Sequence, residues 1–292
     1  MSVSRRTLSL ALALSPGIGG KSLARVLSRN DMMGRSPDEF LALGPDCLRE
    51  EYRLTAKAAT AWCAGRADHL TEARELESRL TPLGVHWVTA ADAHYPRRIE
   101  AFDPEPPGVL FLYGNLKLLE ADTFCCLCSR QAGREASAEI EKVTEELVLR
   151  GQVLVSGHDT PEYQRSAVVP LRFGAPRILV IDRGLFRVLG PALDQEPFRS
   201  ARLWRYRFDP LTDLVVSRQN PDADYHRNGN RLRDRLIGGL AMRTHIVEAR
   251  SGGNAETLAR LALIAGRPVT FSPQFPQPLL ESLGARPFDP LA

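Results

Sequence analysis

Three short segments place small polar residues where a β-rich run gives way to a helical pattern. They are Cys128-Ser129-Arg130, Ser156-Gly157-His158-Asp159 and Glu248-Ala249-Arg250-Ser251-Gly252-Gly253-Asn254. Glycine and serine let a phosphate oxygen come close to backbone amides, a helix N-terminus attracts anions, and an arginine adds charge and a fork of donors. In an open α/β sheet ligands bind beyond the carboxyl ends of the strands. Three such turns at equivalent places therefore read as one phosphate-binding edge, although each alone is also ordinary turn and cap chemistry.

Other chemistry finds less support. Ser156, His158 and Asp159 carry the residue types of a nucleophilic triad, but near-adjacent residues at one strand end project apart, whereas a triad converges from separate segments. His226, between Tyr225 and Arg227, reads as a loop residue, and no paired acidic motif suggests a metal nuclease. Cys126 and Cys128 face one side of a strand and Cys125 the other, so the three cannot close round one metal and read as small core residues. No catalytic residue, metal or cofactor is assigned from these patterns. Between Phe198 and Phe208 the chain interleaves Phe198, Trp204, Tyr206 and Phe208 with Arg199, Arg202, Arg205 and Arg207. Aromatic faces with guanidinium groups suit sequence-tolerant binding of single strands, while the period-two alternation from Arg202 equally suits an edge strand with its arginines in water.

The elements that position these residues fall into three parts. Residues 1–80 are helical in pattern: Leu8 to Leu14, a Pro16-Gly17-Ile18-Gly19-Gly20 turn, then a second helix with Leu23, Val26 and Leu27 on one side. This resembles a helix-hairpin-helix, whose second helix can offer free amides to a phosphate, but the same turn also simply joins helices. Ser36-Pro37-Asp38-Glu39 reads as an N-cap, a first-turn proline and a capping-box glutamate, and two further helical stretches lie near 54–64 and 66–80. Residues 81–272 alternate β-rich runs, at 124–127, 153–155, 178–181, 214–216, 245–247 and 268–271, with amphipathic stretches such as Ala136, Ile140, Val143 and Leu147. Unbroken apolar strands alternating with helices predict an α/β fold with a mostly parallel sheet covered on both faces. Residues 273–292 are rich in proline and read as a tail.

Composition bounds the rest. With 43% hydrophobic and 25% charged residues the 292-residue chain reads as globular. A net charge of +3 confines any nucleic-acid footprint to a local patch. Arginine supplies all but four of the 38 basic residues, which suits bidentate phosphate contacts and also suits a GC-rich genome. The apolar run at Leu8–Leu14 is too short for a membrane span, Arg5 and Arg6 lack a following cleavage signal, and five cysteines form no disulfide pattern, so a cytoplasmic protein is expected.

The order of the pieces resembles the DNA-processing (DprA/Smf) family. Tyr95-Pro96-Arg97-Arg98-Ile99, the proline-rich link to Val109-Leu110-Phe111, and Gly114-Asn115-Leu116 resemble the entry to its Rossmann-like domain. Leu127-Cys128-Ser129-Arg130 resembles its V-G-S-R turn and Val155-Ser156-Gly157 the start of its V-S-G-L-A segment. Gly174-Ala175-Pro176 with Ile178–Ile181, Arg233-Asp234-Arg235-Leu236-Ile237-Gly238-Gly239-Leu240, and Val247-Glu248-Ala249 with Ser251-Gly252-Gly253 complete the series. The resemblance spans roughly residues 85–272. It implies a non-enzymatic protein that binds single-stranded DNA in a basic pocket during natural transformation and passes it to the recombinase RecA, usually as a homodimer. Arg130 is then the arginine that grips the backbone, Arg233 and Arg235 support the same face, and Ser129, Ser156, Gly157, Ser251, Gly252 and Gly253 supply hydroxyls and close approach. Departures fall in the same place: Cys128 for a glycine, His158 to Tyr163 for L-A-x-G-I-D, and Asp234 for an asparagine, with no match to the family's C-terminal winged-helix domain. Two alternatives stay open, a nucleotide-sensing module binding a small phosphorylated ligand and, from a partial P-G-G-x-G-T-x-x-E motif, a nucleoside monophosphate phosphoribohydrolase.

Overall fold

The computed structural model describes residues 2–289, the side chains of residues 199 and 200 excepted. The chain forms two compact units, one running to Tyr95 and including Glu105–Phe111, the other comprising Pro96–Pro104 and everything from Leu112. The boundary expected near residue 80 falls inside the first unit.

The first unit is built from α1 (Arg5–Leu14), α2 (Gly20–Met32), α3 (Pro37–Leu41), α4 (Pro45–Glu50), α5 (Ala56–Leu80) and β1 (His86–Thr89). The capping box at Ser36 and Glu39 forms as the sequence predicts. The two stretches expected at 54–64 and 66–80 are one 25-residue helix, because Gly65 alone, without proline, does not end it. The Pro-Gly-Ile-Gly-Gly turn does connect two helices, but the N-terminus of α2 is covered. Gly20 donates its N–H to the Pro106 carbonyl at 3.2 Å, and a Cβ there would lie 2.6 Å from that oxygen. Glycine at position 20 serves close backbone packing, not a phosphate.

The second unit holds α6 (Arg98–Phe102), the end of β2 (Val109–Gly114), and then a regular alternation. It runs β3 (Thr123–Leu127), α7 (Arg134–Leu149), β4 (Val153–Ser156), α8 (Pro161–Phe173), β5 (Arg177–Ile181), α9 (Leu185–Leu189), α10 (Arg199–Leu203) and β6 (Leu214–Ser217). It continues α11 (Gly229–Leu240), β7 (Arg243–Ile246), α12 (Asn254–Ile264), β8 (Val269–Phe271), α13 (Pro278–Ser282) and β9 (Arg286–Pro287). Strands β6, β5, β4, β3, β7, β8 and β9 pair in that order, every pair parallel. The chain builds outward from β3 in one direction, then returns to its other side with β7. Such a reversal opens a crevice at the carboxyl ends of the two strands flanking it. β3, β4, β5 and β6 are buried at every position, as strands covered on both faces must be. Ala136, Ile140, Val143 and Leu147 form the buried stripe of α7 that the periodicity predicts.

Two expectations need correction. The segment from 273 is no plain tail: it buries Leu280 and Ala285 and ends in strand β9 against β8, up to the last described residue. The stretch from Phe198 to Phe208 is not an edge strand either. It is the short helix α10, a turn with Arg205 at φ +63°, and a single antiparallel bridge between Gln195 and Arg207. A left-handed residue in mid-segment breaks the extended alternation. Phe198 and Phe208 are buried, while Trp204 and Tyr206 are exposed; the side chain of Arg199 lies outside the described residues.

Candidate nucleic-acid interface

At the carboxyl ends of β3 and β7 the chain leaves a pocket of about 390 Å³. Its rim is set by one backbone clamp. Ser129 donates its N–H to the Glu248 carbonyl at 2.8 Å, and its Oγ accepts the Arg250 N–H at 2.9 Å. The loops after β3 and β7 are thereby fastened side by side, and Arg130 and Arg250 project from the two halves of the clamp. Both are exposed, as is Arg231 on the first turn of α11, which lines the same pocket. Among the described residues none of the three has a carboxylate partner. Four arginines, Arg233 included, face two carboxylates, Glu162 and Asp234, around the lining.

The helix behind the rim adds to this field. Gly253 is the N-cap of α12 and offers no side chain to its first-turn amides, so these remain available to an anion while the helix dipole points its positive end at the pocket. Glu256 accepts the Gly252 N–H at 3.2 Å and the Arg260 Nε–H at 2.9 Å, which holds the glycine loop onto the helix. A glutamate so occupied is not presented as a nucleophile or base, which removes the geometric basis for the phosphoribohydrolase reading.

The floor is a buried polar network, in which one Arg233 guanidinium nitrogen is left without a partner among the described residues. Asp234 accepts from Tyr163 Oη at 2.8 Å, Arg233 Nε at 2.7 Å and Asn254 Nδ2 at 2.7 Å, and Arg233 also pairs with Asp159. Arg233 lies over the Tyr163 ring, 4.9 Å from its centroid, and is 1% exposed. Burial pushes the Tyr163 hydroxyl well above its ordinary range. Burial also raises the Asp234 carboxyl, against the pull of the Arg233 charge. The sequence grouped Arg233 and Arg235 with Arg130, but residues two apart on a helix point to different sides. Arg233 is spent on the floor, and Arg235 pairs with Asp103 at 3.2 Å, away from the pocket lining.

Ser156 and Gly157 are likewise structural in position. Ser156 is buried, its Oγ 3.2 Å from that of Ser166. A Cβ on Gly157 would lie 2.7 Å from the Tyr163 ring and 3.1 Å from Arg233, so the residue is glycine to let the network pack. Ser251 and Gly252 are exposed on the loop into α12, outside the pocket lining, and Gly253 is within it. His158 stands 3.9 Å from Asp182 rather than beside Ser156, and burial lowers it to about 4, so it is neutral at pH 7. Cys128 packs with Cys126, Ala136, Ile140 and Val247, and burial raises its thiol to about 12. Its side chain is turned into this apolar cluster, which leaves the following Ser129 and Arg130 to form the rim.

The sequence reading missed Arg231 outright and named Arg250 only as part of its loop. The helical period offered a signal for the first: if Arg233 faces the sheet, Arg231 points the other way.

Comparison with known proteins agrees with this architecture. The family model described as DNA recombination-mediator protein A matches residues 86–284, well over half of the chain. The DNA processing protein A of Streptococcus pneumoniae has a similar fold, with a TM-score of 0.72 at 19% identity, covering 99% of this chain and 95% of that one. The DNA processing protein A of Helicobacter pylori, whose structure is described as revealing a unique single-stranded DNA binding mode, aligns with a TM-score of 0.54 at 19% identity over 70% of this chain and 93% of its own. No curated protein matches by sequence. The family's description names recombination mediation and no catalysed reaction. The chain belongs to the DNA recombination-mediator protein A family.

Proposed function

We propose that this protein binds single-stranded DNA by its phosphates at the carboxyl-edge pocket. The observation that carries the reading is the set of three exposed arginines, Arg130, Arg231 and Arg250, without carboxylate partners among the described residues, around the uncapped N-terminus of α12. Exposed guanidinium groups beside free amides form a site for a chain of phosphates, and they bring no base-reading geometry with them. The family and the single-stranded DNA binding described for the Helicobacter pylori protein support the same reading. Ser129 acts here through the clamp, Gly253 by leaving the helix end open, and Ser251 and Gly252 by presenting the loop. Handing the strand to the recombinase RecA during natural transformation, in the cytoplasm and as a homodimer, is the part of the proposal that rests on family resemblance; no helix among the described residues is long and apolar enough to cross a membrane.

A second reading has one observation in its favour. The pocket's size and its apolar wall of Leu127, Ala255 and Leu258 also suit one small phosphorylated ligand. An electrophoretic shift at low salt separates the two. The purified protein retards single-stranded oligonucleotides in preference to duplex, and Arg130→Ala weakens the shift with the melting temperature unchanged. Absence of any shift, with thermal stabilisation by a mononucleotide, selects the small-ligand reading.

A further inference from the structure

The turn at Leu203–Tyr206 lies at the other end of the sheet from the pocket. The connection from β5 to β6 returns to the amino ends of those strands, as Arg177, the first residue of β5, bonds both Glu196 and Asp213 and sits over the Phe198 ring at 5.3 Å. Phe198, Ala201 and Phe208 anchor the connection in the core, Phe208 packing 5.7 Å from Tyr113. Between these anchors the chain does the reverse of what burial favours. Leu203 is 83%, Trp204 63% and Tyr206 40% exposed. The turn is nonetheless fixed, with the N–H groups of Trp204 and Tyr206 both donating to the Ala201 carbonyl and that of Arg205 to Arg202. Arg202 and Arg205 are exposed and have no carboxylate partner among the described residues; Arg207 has only a loose, exposed contact with Asp194 at 3.5 Å. Asp209, the nearest acid on the other side, is occupied by the Leu211 N–H and the Thr212 hydroxyl.

We propose that this turn is a second contact surface for single-stranded nucleic acid, engaged by strands long enough to reach it from the pocket. An indole and a phenol held rigidly in solvent among unpaired guanidinium groups offer faces for bases and charge for phosphates, without selecting a sequence. The unpaired arginines make the complementary partner an anion, which an apolar protein face would not satisfy. The proposal rests on single-strand binding at the pocket and extends it. A strand of four or five residues rises about 3.3 Å per residue and neighbouring strands lie about 4.8 Å apart, so two sites at opposite ends of the sheet and two to four strands across are on the order of 15 to 25 Å apart.

Tryptophan fluorescence makes the test direct, because Trp62 and Trp87 are buried and Trp204 alone of the three is exposed. Oligothymidylates of about 4 and about 30 nucleotides, at the bottom of and well above the roughly 4 to 16 nucleotides that one binding module takes, serve as probes. The long strand quenches the Trp204 emission, and Trp204→Ala with Arg205→Ala weakens its binding about fivefold or more while changing the short strand's by less than twofold. Trp204→Phe keeps the affinity for the long strand and removes the quench. If the double variant binds the long strand like the wild type and Arg130→Ala still weakens binding, the second surface is refuted and the pocket stands. If the wild type binds neither probe, both fall. A change in oligomeric state by light scattering, with affinity for the long strand unaltered, assigns the turn to contact between copies of the chain and also overturns the proposal.

Discussion

The two ends of the parallel sheet use arginine in opposite ways. At the amino end Arg177 is fully buried, 2.6 Å from Glu196 and 2.9 Å from Asp213, with its third nitrogen on the Ala167 carbonyl at 3.0 Å. At the carboxyl end Arg130, Arg231 and Arg250 are exposed and free of carboxylates among the described residues. The first arrangement gives each of the three guanidinium nitrogens a partner and presents nothing to a ligand. The second leaves charge unneutralised where a partner can reach it. Arg233 sits at the carboxyl end and still follows the amino-end pattern, so partnering, not location, separates an arginine that holds the fold from one available for binding.

The largest effect that sharpens this contrast is on stability. Arg177→Ala leaves Glu196 and Asp213 buried without their cation, at a cost of about 3 to 5 kcal/mol, read as a loss of urea midpoint. An unchanged midpoint would mean that the two carboxylates find other partners. The truncation Arg130→Ala leaves the midpoint in place, since an exposed, unpaired side chain contributes little to the fold.

Acid sensitivity comes next. Burial depresses His158 to about 4 and His245 to about 3, while an unfolded histidine titrates near 6.5. Both folded values lie below the unfolded one, so between these limits the unfolded chain binds more protons. Stability is therefore full above about pH 6.5 and falls as the pH is lowered through 5 and 4. A thermal melt that declines over this window in the wild type and less in His245→Gln checks it. His245, between the hydroxyls of Thr270 and Ser272 at 3.0 Å each, is the better probe because no charged group sits in that contact.

Asp234→Asn produces the smallest change and probes the contrast from within the pocket. It restores the asparagine that the family resemblance predicts at this position. Arg233 keeps Asp159 but loses one counter-charge, so single-strand affinity rises by about two- to fivefold, while the lost charged acceptor for the Asn254 amide costs about 1 to 3 kcal/mol of stability. Weaker binding in this variant would assign Asp234 a positioning role toward the strand.

Much of the fold was legible because its strands are continuous apolar runs and its helices carry clear stripes; β3 to β8 lie where the pattern put them, to within a residue or two. β9 was not, since Arg286–Pro287 carries no strand pattern and pairs only because β8 offers an edge. In the candidate site the rim was legible, as the Ser129 and Arg130 turn and the glycine loop are local in sequence. The state of each arginine was not. Arg233 meets Asp159 across 74 positions and Arg235 meets Asp103 across 132, so no window of sequence reveals which arginines are already neutralised. The alternation at Arg202–Phe208 misled for a different reason: a period of two describes side chains only while the backbone stays extended, and Arg205 turns it.

The proposed function has unpartnered arginines at the carboxyl edge, Arg130 and Arg250 among them, carry the phosphate contacts. It is tested most directly by the salt dependence of single-strand affinity for the wild type beside Arg130→Ala with Arg250→Ala. Each phosphate contact contributes about 0.7 to the slope of log K against log salt, so the double variant shows a slope shallower by about 1.4 and a weaker affinity at low salt. An unchanged slope and affinity, in a variant that melts like the wild type, would contradict it.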